Sequence, residues 1–180
     1  NGKSVTVSFD GGNAFINGAQ VTVADITTDN GVVHVIDAVL IPPTVTVVDI
    51  VVNSPDHNTL EAAVIAAELA DDLSGDGPFT LFAPTDAAFA ALGTVVDELL
   101  LDPTGALADI LLYHVVSGTV LSTDLTAGDV PTLNGKSVTV SFDGGNAFIN
   151  GAQVTVADIT TDNGVVHVID AVLIPPTVTV

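Results

Sequence analysis

From Ser4 to Phe9 apolar and polar residues alternate, with Val5, Val7 and Phe9 on one side of an extended chain. A period of two is the mark of a half-buried strand. Asp10-Gly11-Gly12-Asn13 and Asn17-Gly18 supply tight-turn chemistry on either side of the next short strand, and Gln20 to Val23 resumes the pattern. Thr28-Asp29-Asn30-Gly31 then leads into Val32-Val33-His34-Val35-Ile36, a continuous apolar run of the kind found in a strand covered on both faces. Pro42-Pro43 ends this meander of three or four strands.

After the prolines the period changes. Thr44-Val45-Thr46-Val47 reads as extended and β-branched, with none of the Gly or Ser of a flexible linker. Asn58 as N-cap with Glu61 three residues on predicts a helix, along which Leu60, Val64 and Ala67 form an apolar stripe. Ser74-Gly75-Asp76-Gly77-Pro78 breaks the chain before a strand at Phe79 to Pro84. Thr85 caps a short Ala-rich helix, Asp97 to Leu101 gives another turn or two, and Asp102-Pro103 starts a helix running to Tyr113-His114. Helical patterns fill this stretch and strand patterns return from Asn134, which predicts an α+β domain.

The strand pattern returns letter for letter. Asn134 to Val180 repeats all 47 residues of Asn1 to Val47 at an offset of 133. That period is the size of a whole domain, not of a solenoid unit. The division expected is 1–43 as the C-terminal half of one repeat, 44–176 as a complete domain, and 177–180 as the start of the next. The junction Pro42, Pro43, Thr44, Val45, Thr46, Val47 is short and stiff, so neighbouring repeats are expected to be held rigidly.

Charge narrows the function. Two Lys face 22 acidic residues, for a net charge of −20. Nucleic acid and anionic membrane surfaces call for basic patches and are not expected partners. Mean hydropathy is high at +0.62, yet the apolar runs stop well short of the roughly 18 residues of a membrane span. With Cys, Met and Trp all absent, there is no thiol chemistry and nothing for thiol or thioether oxidation, a composition suited to an exposed, long-lived extracellular material.

Three segments carry a resemblance. Phe79-Thr80-Leu81-Phe82-Ala83-Pro84-Thr85-Asp86-Ala87-Ala88-Phe89, Leu111-Leu112-Tyr113-His114-Val115-Val116 and Asn163-Gly164-Val165-Val166-His167-Val168-Ile169-Asp170-Ala171-Val172-Leu173 resemble, in order and spacing, the signature segments of the fasciclin-type (fasciclin I-like) domain. The resemblance implies a fasciclin-like β-sandwich or wedge with helices packed against it. It also implies secreted or surface-anchored proteins that work in adhesion and matrix, usually in tandem.

In that family Tyr113-His114 is the candidate adhesion element, but the apolar run on each side predicts a buried pair with a satisfied His. His34 and His167, mid-strand, are read the same way, and His57 at a helix start is expected to be exposed. Asp72 and Asp76 open half of a calcium-loop pattern whose twelfth position is Ala83 instead of Glu, so no resident cofactor is expected. Asp97-Glu98 is a carboxylate pair whose members point different ways on a helix. A Ser-His-Asp set can be assembled only from scattered parts, without a nucleophile elbow, so the expectation is not an enzyme. The reading is a structural or adhesive repeat of an extracellular adhesin or filament, associating with itself and with surface glycans or matrix proteins. The alternative is an extracellular module for a carbohydrate or a small ligand.

The charge makes a prediction. Like charges at this density repel over a distance that 0.1 M salt shortens to about 10 Å, so sub-molar sodium chloride should raise the melting temperature. An unchanged melting temperature would show that the acidic surface does not strain the fold.

Overall fold

The computed structural model describes residues 5–40 and 44–176, apart from the side chain of Asp97. Pro42, Pro43 and the 177–180 segment therefore lie outside the described residues. The chain divides into two compact units, Asn1–Pro43 and Thr44–Val180.

The first unit is an antiparallel meander of β1 (Val7–Asp10), β2 (Asn13–Ile16), β3 (Ala19–Thr28) and β4 (Gly31–Ile36) in that spatial order. Asp10-Gly11-Gly12-Asn13 turns the chain between β1 and β2, both glycines having positive φ. Register slips twice along β3–β4, between Val21 and Val23 and between Val23 and Ile26. Asp25, at φ 59°, sits in the second bulge. His34, expected in a core, is exposed here with the rest of β4 save Ile36.

The second unit opens with a helix where an extended segment was expected. Thr46 caps α1 (Val47–Val52), its hydroxyl accepting from the Asp49 N–H (3.2 Å) while the Asp49 carboxylate accepts from the Thr46 N–H (2.7 Å). This reciprocal capping outweighs the β propensity of Val47 and Val48. α2 (Asn58–Ala66) and α3 (Ala70–Leu73) follow, then β5 (Phe79–Pro84), α4 (Asp86–Ala91) and α5 (Val95–Leu99). The cap of α2 also differs from the sequence reading. His57 occupies the N-cap, but its side chain makes no capping bond to the helix. The carboxylate of Asp86 accepts instead from the N–H of Thr59 (2.7 Å) and of Asn58 (3.3 Å). Asp102 caps a wide π turn, Pro103–Leu107, that runs into α6 (Ala108–Tyr113). β6 (Val115–Ser117), β7 (Gly128–Pro131), β8 (Ser137–Asp143), β9 (Asn146–Ile149), β10 (Ala152–Thr160) and β11 (Gly164–Ile169) complete the unit.

These strands form one seven-stranded sheet in the order β6-β5-β11-β10-β9-β8-β7. β8 to β11 reproduce β1 to β4 in register and in both bulges. The 44–133 half joins the β8–β11 meander at both edges, β7 pairing antiparallel with β8 and β5 pairing in parallel with β11, Gly164 with Phe79 through Ile169 with Pro84. β11 is buried along its whole length, as the run Val165 to Ile169 predicts. One core cluster gathers Val47, Leu60, Val64, Leu81, Leu107 and Ile110 of the helical half with Val166 of β11. The other joins Phe82, Tyr113 and Val116 to Val138, Val140, Ile149 and Ile169. Both clusters therefore draw on both halves.

At the start of β11 the backbones nearly touch: a Cβ on Gly164 would lie 2.0 Å from the Phe79 carbonyl oxygen. Gly31, the same residue in the first unit, has nothing within 4 Å of that position. Gly164→Ala should therefore destabilise the second unit by about 1–3 kcal/mol, because backbone rather than a flexible side chain must move. Gly31→Ala should change stability by less than about 0.5 kcal/mol. Denaturant titration of the two variants checks the contrast, and equal losses would contradict the pairing.

Candidate functional site

Tyr113 and His114 close α6 and are both buried. The Tyr113 hydroxyl donates to the Ser137 carbonyl (2.7 Å) and accepts from Asn150 Nδ2 (2.9 Å). His114 Nε2 accepts from the Leu173 N–H (2.9 Å), so the ring proton sits on Nδ1 and is donated to the Ile110 carbonyl (2.8 Å). Each side chain thus ties the last turn of α6 to the strand half, and every polar atom of the pair is used inside the domain. Desolvation lowers the His114 pKa to about 4, against the smaller upward pull of the Ile110 carbonyl.

Three residues of an apparent Ser-His-Asp set do meet. The Asp158 carboxylate accepts from the Ser122 N–H (2.7 Å) and from its hydroxyl, which hold the carboxyl below its ordinary pKa, the hydroxyl most strongly. The Asp158 N–H donates to His167 Nδ1 (3.2 Å), and His167 Nε2 donates to the Val120 carbonyl (2.8 Å). The imidazole has no nitrogen left to take a proton from Ser122, so the set is a clamp between the β6–β7 connection and the bulge of β10.

His57 is buried, contrary to its expected exposure, because Ser54 folds back to it (Oγ to Nδ1, 2.7 Å) beneath α1 and α2. It lines a cleft of about 320 Å³ with Ile50, Asp56, Thr85, Val156 and Ile159. The junction residues are likewise engaged. The Val45 N–H donates to Asp162 (2.6 Å), the Asp162 N–H to the Val45 carbonyl (2.8 Å), and the Val47 N–H to Asn163 Oδ1 (2.8 Å). Asn163 Nδ2 reaches the carbonyls of Leu73 and Gly75, 2.9 Å each. Thr44 is exposed, and Thr46 is the α1 cap.

Asp72 lies in α3 and Asp76 in the turn after it, while the rest of the calcium-loop pattern is β5. Among the described residues no group of three or more His, Cys, Asp or Glu is placed to hold a metal ion. Glu98 is exposed on α5, and the side chain of its neighbour Asp97 lies outside the described residues. Sequence reasoning took Asp86 and Asn163 as motif letters without a role. The structure makes one a cap for a distant helix and the other a clamp between halves. Their short polar side chains beside tight turns were the available signal.

Two outcomes follow. Tyr113→Phe removes two part-buried hydrogen bonds, to the exposed residues Ser137 and Asn150, and should cost about 0.5–1.5 kcal/mol, whereas Tyr113→Ala should cost about 3–5 kcal/mol. Adhesion lost by a variant of undiminished stability would instead make the pair a contact site. His114 is neutral when folded and takes a proton at pH 6.5 when unfolded. Its stabilisation is complete above that pH and is lost as pH falls toward about 4. At about 1.4 kcal/mol per pH unit, denaturant midpoints should already drop between pH 6.5 and 5, before most carboxylates titrate. A flat profile there would place a proton or a solvent path at His114.

The fasciclin domain family model matches residues 1–42 and 55–175. Protein sll1483 of the cyanobacterium Synechocystis is 44% identical over 133 residues, covering 73% of this chain and 74% of that protein. Human periostin is 36% identical over 162 residues, 89% of this chain but only 19% of periostin. A solved domain pair from the insect cell adhesion molecule fasciclin I superposes with a TM-score of 0.65 at 25% identity, over 95% of this chain and 67% of that one. The chain carries the family's signature segments in the family's fold, and it belongs to the fasciclin domain family.

Proposed function

We propose that the repeat is a structural and adhesive unit of an extracellular adhesin or filament, associating with its own kind through domain–domain contacts. The observation that carries this is the unchanged recurrence of 47 residues at a 133-residue offset. A stacked material gains from interchangeable units, since every contact surface then fits every other. Family membership supports the adhesive part, because fasciclin-type domains are generally found in cell adhesion. Self-association comes first among the partners, with surface glycans or matrix proteins second. An outward location fits the lack of Cys and Met, and no helix among the described residues is long and apolar enough to cross a membrane.

A second reading, a module for a carbohydrate or a small ligand, is favoured by the cleft beside His57, whose walls are mostly apolar. The two separate in one experiment. Beads coated with the full chain should cluster, and electron microscopy of the concentrated chain should show ordered assemblies. Dispersed beads and a monomeric chain, with a melting temperature raised by a sugar or a small apolar probe, would replace the structural reading with the ligand-binding one.

A further inference from the structure

The cleft beside His57 lies wholly within the second unit, between α1, the turn before α2 and the sheet. Its walls are largely aliphatic: Ile50 and Val51 come from α1, Val156 and Ile159 from β10, Val166 and Val168 from β11. In a regular strand Val156 and Ile159, three residues apart, would face opposite sides of the sheet. Register slips between Val154 and Val156 and between Val156 and Ile159 bring both to the cleft. Asp158, at φ 62° between them, is held by its bonds to Ser122. The clamp described above therefore shapes one wall of the cleft.

Most of the polar lining is satisfied within the protein. Thr85 Oγ1 accepts from the Ala88 N–H (3.3 Å), Thr155 Oγ1 donates to the Val168 carbonyl (3.3 Å), and Ser54 Oγ bonds His57 Nδ1 (2.7 Å). His57 Nε2 differs. The residue is only 6% exposed, and this nitrogen is buried with no hydrogen-bond partner among the described residues. Buried polar atoms are normally paired, so a ligand that supplies the partner removes a standing penalty.

We propose that the cleft binds a small neutral molecule with an aliphatic body and one hydroxyl, the hydroxyl bonding His57 Nε2. A hydroxyl both donates and accepts, so it satisfies this nitrogen in either ring tautomer. A carboxylate or phosphate is disfavoured by Asp56 in the lining and by the net charge of −20, with neither Lys nor Arg beside the cleft. A sugar brings many hydroxyls to a site with one open partner, and no Phe, Tyr or Trp lines the cleft for it to stack on. At about 320 Å³ the space sits at the small end of ligand pockets. The inference rests on the ligand-binding reading of this cleft and narrows it to one chemical class.

The test titrates the full chain, with labelled valine methyls, against octanol, octyl chloride, octanoate and glucose. Octyl chloride leaves water more readily than octanol, because it has no hydroxyl to desolvate, so transfer alone favours it. The opposite order is expected here. Octanol should shift the Val156, Val166 and Val168 methyls saturably and bind at least about tenfold more tightly than each of the others. His57→Phe should weaken octanol about tenfold and leave octyl chloride unchanged. Octyl chloride seated in the cleft as tightly as octanol overturns the hydroxyl's role and leaves the ligand-binding reading standing. Tighter binding of octanoate or glucose overturns the proposed class in the same way. No shift of these three valines with any probe removes both readings. Should His57→Phe fail to fold, the order of the probes on the unaltered chain still decides.

Discussion

The fold depends on the parallel pairing of β5 with β11. Both core clusters close across it: Leu81 and Val166 meet on one side of that pairing, Phe82 and Ile169 on the other. The pairing is short, six residues on each strand, so it is held at its start by other means. Gly164 lets the Phe79 backbone approach closely, and Asn163 bonds Val47, Leu73 and Gly75 around it. A buried amide with all its bonds made is specific as well as stabilising, because a slipped register would leave several donors and acceptors without partners. Tyr113 and His114 repeat the arrangement at the far side, tying α6 to Ser137, Asn150 and Leu173.

The two copies of the meander separate what a sequence determines locally from what it receives from its surroundings. Turns, register and bulges are identical in both, so they arise from the segment itself: the Gly-Gly and Asn-Gly turns, and an Asp that adopts positive φ in each bulge. Burial is not identical. Val32 and Val165 are the same residue in the same strand, one half exposed and one fully covered. The apolar run therefore fixes the strand, while the layer packed on it fixes its burial.

This contrast explains which expectations from sequence held. The α+β class, the four-strand meander and the strand at Phe79 to Pro84 were legible because each rests on period and turn chemistry within a few residues. The burial of Tyr113 and His114 was legible from the apolar residues flanking them. The first turn of α1 was not, because Thr46 and Asp49 cap each other and override the β-branched run between and after them. The cap of α2 lies 28 residues from Asn58, on Asp86, beyond any local window. His57 was misplaced for a similar reason, its burial coming from Ser54 and the packing of α1 against α2. His34 was misplaced because its strand lacks the layer that covers His167.

The distance along the chain between β5 and β11 also sets an order of events. During synthesis at roughly 5–20 residues per second, β5 leaves the ribosome several seconds before β11 can reach it. Throughout that interval its inner edge is open, and a fully formed meander identical to its proper mate already lies on the amino-terminal side of the same chain. Contacts this distant in sequence form slowly compared with hairpins. Yet Val45 is bonded to Asp162, at the beginning of β11, while the earlier meander joins the chain through the end of β4. Strand β11 is six residues long, about 20 Å at 3.3 Å per residue. The bond from Val45 to Asp162 thus places the first residues of the helical half beside the start of the strand that is made last, so this half is tied at its beginning only when β11 arrives.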